Sequence, residues 1–320
     1  MPDAAPKARK NLFRAAFEST QRRRPLIIAH RGDSSHAPEN TLEAARLGWE
    51  SGADAWELDV QLTRDGIPVV IHDDSLLRTT DVLARFPDDP RRASDYLVAD
   101  FDFEEIRSLD AGSWFLAPGG QRTADSFGTL ASLNPTQRSH FGSGKIKVPT
   151  LAEALALTVS LDWKVNVEIK SFPGTDPNIL DAVLRLVDET DAATRILISS
   201  FDHADVARAV RSHPHLATGV LTVTPLDAPD HYVRQQVGAD FYHPSADALG
   251  ASSLAYRRKP SPRTLRIGDF DGLKAAGVPI LTYTVNETSP DGIAVHLAEA
   301  GVGGIFTDDP ASLKALFAGR

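Results

Sequence analysis

The sequence predicts a closed barrel of eight parallel β-strands, each followed by a helix, with an extra antiparallel hairpin arm and two long loop insertions. Three observations lead to this α/β fold class. From Pro149 onward, short apolar runs alternate with amphipathic stretches, which is typical of a parallel sheet covered by helices. Two further apolar runs near the N-terminus bring the number of strands to eight, which closes such a barrel. Several runs end in ionisable residues, as expected where a site forms at the carboxyl ends of the strands.

The predicted barrel strands are short and apolar and are separated by polar or helical segments. They are residues 26–30, 55–60, 164–170, 195–201, 217–223, 240–244, 279–285 and 304–309. Amphipathic stretches between the later strands predict covering helices at residues 178–190, 203–213, 269–277 and 292–301.

The first strand ends at His30, where polar residues begin and the chain enters a loop. A helix is predicted to follow this loop and to run to about Ser51. Asn40 is predicted to cap that helix, with Glu43 reaching back to complete a capping box.

The second strand carries two carboxylates on one face. Residues 55–63 alternate with a period of two, which places Glu57 and Asp59 on the same side. A tight-turn signal follows, so residues 68–73 are predicted to fold back antiparallel as the hairpin arm. This arm would return His72 to the level of the two carboxylates.

Composition excludes several classes of function. The chain has 320 residues, enough for a large core, and a formal net charge of -9, which argues against nucleic acid as the main partner. It has no cysteine, so disulfides and thiolate metal sites are excluded. No apolar run approaches the roughly 20 residues that span a bilayer. The basic N-terminus has no apolar core of signal-peptide length, and we expect a cytoplasmic protein.

The sequence also predicts how the domain is organised. Residues 1–24 are predicted to be a basic extension, and residues 25–320 a single barrel domain. Residues 82–98 and 117–145 are rich in proline, glycine, serine and charge, and are predicted to be insertions that partly cover the mouth of the barrel. An apolar stripe at residues 12–17 has two interpretations: a helix packed on the bottom of the domain, or a helix that adheres weakly to an anionic membrane.

Short blocks of residues occur along the chain in a distinctive order. They are His30-Arg31-Gly32 and residues 38–41 (PENT), 57–60 (ELDV), 63–66 (TRDG), 69–73 (VVIHD), 110–115 (DAGSWF), 149–151 (PTL), 168–170 (EIK), 284–286 (TVN) and 304–308 (GIFTD). This series resembles the signature of the glycerophosphodiester phosphodiesterase family, part of the superfamily of phospholipase C-like phosphodiesterases. The resemblance extends over roughly residues 25–315.

The resemblance implies a barrel enzyme that hydrolyses small-molecule glycerophosphodiesters to glycerol 3-phosphate and an alcohol. It also implies one bound divalent cation, Mg²⁺ or Ca²⁺. Matched residue by residue, Glu57, Asp59 and Glu168 are the expected metal ligands, and His30 and His72 the catalytic acid/base pair.

Further positions match residues that lie near the substrate in this family. Arg31 and Lys170 match residues that face the substrate phosphate, although Lys170 and Glu168 could instead form only an ion pair. Asn286 matches a position near the site, and Glu39 is predicted to bind substrate or, alternatively, only to fix the loop before a helix.

Two further residues at predicted strand ends each have two possible roles. His243 could contact substrate or be a structural residue. Asp308 could touch a ligand or cap the helix that follows it.

These residue types suit phosphodiester hydrolysis. Three carboxylates without thiolate ligands favour a hard cation such as Mg²⁺ or Ca²⁺. One histidine would deprotonate the attacking oxygen and the other would protonate the leaving alkoxide. The nucleophile is either water or the glycerol 2-hydroxyl, which would form a cyclic phosphate. Two alternatives to this function are a lysophospholipase D and a non-catalytic barrel that binds phosphodiesters.

Overall fold

The computed structural model describes residues 10–18, 23–171, 177–250 and 267–318. Residues 1–9 and 19–22 of the predicted basic extension therefore lie outside the described residues. The strands are β1 (Leu26–Ala29), β2 (Ala55–Leu62), β3 (Pro68–Val70), β4 (Val165–Ile169), β5 (Ile196–Ser200), β6 (Ala217–Thr222), β7 (Phe241–Pro244), β8 (Leu281–Thr282) and β9 (Gly304–Thr307). They form one sheet.

Eight of the strands follow one another around the sheet in the order β7-β6-β5-β4-β2-β1-β9-β8. Every neighbouring pair in this series is parallel. Two isolated parallel bridges, Tyr242 with Ile280 and Ser245 with Tyr283, join the first and last members and bring the barrel to closure. The predicted fold class is confirmed.

Helices surround the barrel, and further helices occur before the first strand and between residues 71 and 149. They are α1 (Leu12–Glu18), α2 (Leu42–Glu50), α3 (Val82–Arg85), α4 (Phe103–Ser108), α5 (Pro135–Phe141), α6 (Leu151–Ser160), α7 (Ile179–Asp188), α8 (His203–Ser212), α9 (Pro229–His231, continued by a π-helical turn), α10 (Ile267–Ala275), α11 (Ile293–Ala300) and α12 (Pro310–Phe317). None of these described helices has the length and hydrophobicity needed to cross a bilayer.

The hairpin arm is β3, which pairs antiparallel with β2 through Val60 and Val70. Gly66 stands in the connecting turn with φ of +80°, a left-handed conformation that glycine adopts without steric cost. Beyond the strand, the backbone N–H of Ile71 donates to the carbonyl of Asp59 at 3.0 Å. The next residue, His72, therefore lies beside the end of β2 that carries the carboxylates, as the hairpin prediction expects.

The N-cap of α2 lies one residue later than predicted. Thr41 is the N-cap, and its hydroxyl accepts from the backbone N–H of Ala44 at 3.2 Å. Asn40 has a φ of +58°, and its side-chain amide donates to Asp59 at 2.8 Å. The prediction that Asn40 caps the helix is wrong because its left-handed backbone turns the side chain into the barrel mouth. At the other end of the chain, Asp309 rather than Asp308 caps α12.

The amino end of the barrel is filled by apolar side chains that point inward from the strands. They are Leu26, Ile28, Ala55, Leu197, Ala217, Phe241, Leu281 and Phe306, joined by Phe13 from α1. Phe13 is fully buried, and the nearby Asn11 amide donates to the carbonyl of Ile196 at 2.8 Å. The described part of the N-terminal helix thus packs on the bottom of the barrel, as the first of its two interpretations expects.

Replacing Phe13 by alanine is expected to destabilise the fold by about 3–5 kcal/mol, because the deleted ring would leave a cavity in the barrel floor. Leu12 on the same helix is 37% exposed and is the matched control, since its truncation creates no comparable cavity. Chemical denaturation of the two variants measures the difference. Equal midpoints for Phe13→Ala and Leu12→Ala would contradict the floor role.

Residues between β3 and α6 form a second hydrophobic core beside the barrel. Its larger buried members are Leu76, Val82, Tyr96, Val98, Phe101, Ile106, Phe115 and Phe141. Both predicted insertions contribute side chains to this core. They are therefore packed segments, and the second of them extends to the barrel mouth through Arg122, as the site geometry shows.

Candidate active site

Three buried carboxylates lie together at the carboxyl ends of two neighbouring strands. Glu57 and Asp59 alternate on β2, and the parallel register places Glu168 of β4 directly opposite Asp59. One oxygen from each residue lies within 4.8 Å of the others. All three side chains are buried, so their repulsion is weakly screened by solvent.

Their ionisation reflects this crowding. Burial, followed by the charges of Asp59 and Glu168, raises the pKa of Glu57 well above its usual range. Burial also opposes ionisation of Asp59, but Lys170, His72 and Arg31 outweigh it and lower the pKa of that carboxyl. The cluster therefore contains one carboxyl that lacks sufficient positive charge around it.

The residues present fit a hard divalent cation. The Oε2 atom of Glu57 accepts from the backbone N–H of Arg31 at 2.9 Å, whereas its buried Oε1 has no hydrogen-bond partner among the described residues. Lys170 supplies one ammonium, 2.8 Å from Asp59 and in contact with Glu168. Three carboxylates with one oxygen unsatisfied make an all-oxygen ligand set of the kind that Mg²⁺ and Ca²⁺ prefer.

His30 stands at the end of β1 and is oriented by a carboxylate. Its Nδ1 lies 2.7 Å from Asp308, which follows β9. Burial, followed by the charge of Arg31, lowers the pKa of His30 to about 4, although Asp308 acts in the opposite direction. His30 is therefore neutral near pH 7, with Nε2 as the nitrogen available for proton transfer.

His72 has the same kind of partner on the hairpin arm. Its Nδ1 lies 2.7 Å from the carboxylate of Asp73. Arg78 binds that carboxylate through two hydrogen bonds of 2.6 and 2.9 Å. Burial of Asp73 is outweighed by its hydrogen bonds to His72 and Arg78, so its pKa is lowered and it stays ionised.

Arg31 extends from the loop after β1 into the carboxylate cluster. Its guanidinium donates to Glu39 at 2.7 Å, and its Nε lies 3.3 Å from Asp59, an ion-pair distance without hydrogen-bond geometry. Its backbone has a φ of +58°, a conformation that is rare for a side chain of this size. Arg31 and Lys170 thus both form ion pairs with carboxylates of the cluster.

Asn286 reaches the site through Asp308. Its side-chain amide donates to the Asp308 carboxylate at 2.6 Å, and its oxygen accepts from the Asp308 backbone at 2.8 Å. These two bonds set the orientation of the carboxylate that contacts His30. Asn286, predicted to bind substrate, therefore orients the Asp308 carboxylate beside His30.

His243 does not reach the mouth of the barrel. It is fully buried in the interior, with its ring 5.5 Å from that of Phe306 and 6.4 Å from that of Phe241. Burial lowers its pKa to about 3, so it is neutral. Its complete burial against these apolar rings supports a structural role rather than substrate contact.

Four residues of the site are absent from the predicted set. Asn40 and Asp73 lie inside the motif blocks, beside predicted site residues. Their position in the sequence could therefore have indicated that they belong to the site. Arg78 lies five residues after Asp73, and Arg122 lies in a predicted insertion. Neither arginine lies in a recognised motif. Arg78 pairs with nearby Asp73 but also with Glu39, 39 residues away, and Arg122 forms its ion pairs with Glu39 and Asp308, 83 and 186 residues away.

The family model described as "Glycerophosphoryl diester phosphodiesterase family" matches residues 30–312. The chain belongs to this family. It is therefore an enzyme of the phosphoric diester hydrolase class, and the non-catalytic alternative is not retained.

Relatives and solved structures agree with this assignment. A glycerophosphodiester phosphodiesterase from Caldanaerobacter subterraneus is 33% identical over 288 residues, covering 90% of this chain and 96% of that protein. One from Bacillus altitudinis is 30% identical over 285 residues, with 89% and 94% covered. The structure of an Oleispira antarctica phosphodiesterase in complex with its product sn-glycerol-3-phosphate is 26% identical, with a TM-score of 0.68 and coverage of 92% and 96%.

Proposed function

We propose that this chain hydrolyses glycerophosphodiesters to glycerol 3-phosphate and an alcohol in a reaction that requires one divalent cation, with His30 and His72 as the acid/base pair. One observation carries the proposal. Two histidines, each held by a carboxylate at Nδ1, stand beside a cluster of three buried carboxylates in a family of phosphodiesterases.

Glu57, Asp59 and Glu168 would hold the cation, which is Mg²⁺ or Ca²⁺ because all the available ligands are carboxylate oxygens. When bound, it neutralises the carboxylates and polarises a phosphoryl oxygen. Arg31 and Lys170 form ion pairs with Asp59 of the cluster, and they would balance charge that develops on the phosphate.

The histidines would move the protons. With each Nδ1 bonded to a carboxylate, Nε2 is the free nitrogen of each ring. One Nε2 takes the proton from the attacking oxygen as the new P–O bond forms. The other gives a proton to the alkoxide as its P–O bond breaks. The attacking oxygen belongs to water or to the glycerol 2-hydroxyl; in the second route, water then opens the cyclic phosphate.

The proposal also includes where the protein acts and how the chain is divided. We propose a cytoplasmic enzyme with a single barrel domain at residues 25–320 and an extension at residues 1–24. Burial of Phe13 in the barrel floor supports a structural role for the described part of this extension rather than membrane contact. Unchanged liposome binding after deletion of residues 1–20 would remove the membrane interpretation.

Treatment with EDTA is expected to abolish release of glycerol 3-phosphate from glycerophosphocholine, and Mg²⁺ or Ca²⁺ is expected to restore it. The reason is that three mutually repelling carboxylates cannot orient a phosphate without a cation between them. Coupled detection of glycerol 3-phosphate measures the rate. Full activity in EDTA after extensive dialysis would sink the metal requirement.

The alternative of a lysophospholipase D is tested by substrate choice. An enzyme of that type accepts an acyl chain, so lysophosphatidylcholine would be hydrolysed at least as fast as glycerophosphocholine. We expect the reverse order, because the described mouth is lined by charged side chains around Glu39 and Asp308.

A further inference from the structure

A continuous series of ion pairs connects the two histidines of the site. Each link is a hydrogen bond of 2.6–2.7 Å between a cation or imidazole and a carboxylate. We call it the ion-pair chain, and in order it consists of His30, Asp308, Arg122, Glu39, Arg78, Asp73 and His72. It runs from the ends of β1 and β9, where His30 and Asp308 lie, to the segment after β3 that carries His72 and Asp73.

Glu39 is the central member of the ion-pair chain. It is only 4% exposed. Its Oε1 accepts from Arg31 and Arg78, both at 2.7 Å, and its Oε2 accepts from Arg122 at 2.6 Å. Burial opposes its ionisation, but the three guanidinium groups outweigh burial and lower its pKa well below the usual range. A carboxylate engaged in this way is poorly placed to bind an anionic substrate.

Arg122 closes the link to His30. Its Nε binds Glu39, and its two terminal nitrogens bind Asp308 at 2.7 and 3.3 Å and the Ser34 hydroxyl at 3.0 Å. Most of its donors therefore have protein partners. Its backbone has a φ of +56°, a left-handed conformation that an arginine adopts only when the surroundings hold it there. The conformation of the second insertion thus places the Arg122 side chain between Glu39 and Asp308.

The charges of the network balance. The carboxylates of Glu39, Asp73 and Asp308 are matched by the guanidinium groups of Arg31, Arg78 and Arg122. Buried ion pairs of this type contribute little net stability, because desolvation offsets their attraction. What such a network does supply is fixed geometry, since arginine forms planar, two-pronged contacts with carboxylates.

We propose that Glu39, Arg78 and Arg122 are positioning residues that hold His30 and His72 at a fixed separation, with both Nδ1–H groups directed at carboxylates. Arg122, from the second insertion, joins the β9 side of the site to the hairpin arm. This rests on the proposed catalytic role of the histidines. Glu39 acts here through the arginines and does not bind substrate.

A double-mutant cycle on kcat tests the proposal. Arg78→Met and Arg122→Met each interrupt the ion-pair chain on one side of Glu39, and each is expected to lower kcat about 10–100-fold with little change in KM. Because either break disconnects the two histidines, the double variant is expected to lose little more than one single variant. Arg122→Lys should recover only part of the loss, since lysine keeps the charge without the fork.

The matched control is Arg107→Met, which removes a two-pronged arginine–carboxylate pair with Glu153; the described side-chain hydrogen bonds of Arg107 go to Glu153 and Val148 and to no member of the ion-pair chain. It should leave kcat and KM unchanged. Losses that multiply in the double variant, or a raised KM with kcat unchanged in Arg122→Met, would overturn the proposal. Circular dichroism confirms that each variant is folded.

A spectroscopic measurement separates this proposal from the proposed function. The Nδ1–H protons of His30 and His72 are expected as downfield proton resonances, assigned by their loss in His30→Ala and His72→Ala. Arg122→Met should shift or broaden the His30 resonance, whereas Arg107→Met should not. If His30→Ala retains activity, the catalytic role fails while this readout still tests the positioning role. An unshifted His30 resonance in Arg122→Met would overturn the positioning role alone.

Discussion

Replacing His30 or His72 by alanine is expected to lower turnover of glycerophosphocholine by about 10²–10⁴-fold, the usual contribution of a positioned acid or base. Both rings sit in polar pockets at strand ends, outside the apolar cores, so the fold should be retained. Each variant removes one of the two proton transfers, and the uncatalysed transfer to or from solvent is slow at neutral pH. Steady-state kinetics in saturating Mg²⁺ measure the loss.

The control for both variants is His215→Ala, an exposed histidine just before the amino end of β6, whereas the carboxylates lie towards the carboxyl ends of β2 and β4. It should keep wild-type kcat. Retention of more than a tenth of the activity by His30→Ala or His72→Ala would remove that residue from its assigned role. Loss of helical circular dichroism would instead mean that the variant had unfolded, and His30→Gln or His72→Gln would then replace it.

Glu57→Gln is expected to raise the stability of the metal-free protein while removing its response to metal. The pKa of Glu57 is raised by burial and by the adjacent carboxylates, so its ionised form destabilises the fold. As pH rises above the unfolded-state value of 4.5, the unfolded chain releases this proton first. Stability of the metal-free protein therefore falls with pH, by about 1.4 kcal/mol per unit until the folded-state pKa is reached.

Glutamine keeps the shape of the side chain and removes this charge. We therefore expect Glu57→Gln to show a higher Tm than wild type without metal at pH 8, and no rise in Tm when Mg²⁺ or Ca²⁺ is added. Its activity should be lost, because one of three ligand carboxylates is gone. Glu299→Gln, with a 66% exposed side chain, is the control and should behave as wild type. A lower metal-free Tm for Glu57→Gln would contradict the repulsion argument.

The histidine variants and the Glu57 variant test different parts of the site. The histidine variants should still bind metal and show its stabilising effect, because their rings are not among the oxygen ligands. The Glu57 variant should keep both histidine Nδ1–H resonances, because Asp308 and Asp73 are not altered. Thermal shift with metal and proton NMR together therefore show which part of the site each substitution has damaged.

Local pattern in the sequence determined most of the barrel and the core of the site. Strand–helix alternation, the period of two in residues 55–63 and the turn signal at residues 64–66 specify the strands, the face of Glu57 and Asp59, and the return of His72. These features depend on neighbours in the chain. They can therefore be predicted from the sequence without knowledge of the tertiary contacts.

Tertiary structure alone decided the partners of those residues. Asn40 is a case in point: its residue type suits a helix cap, but a left-handed backbone aims it at Asp59 instead. Asp308 was equally suited to a cap or a ligand contact; the structure gives the cap of α12 to Asp309 and places Asp308 against His30. Arg122 is 83 residues from Glu39 in the sequence, and no local pattern connects them. Ion pairs depend on the distance between two side chains in space. Closure of the chain into a barrel sets that distance, and it cannot be read from the spacing of the residues in the sequence.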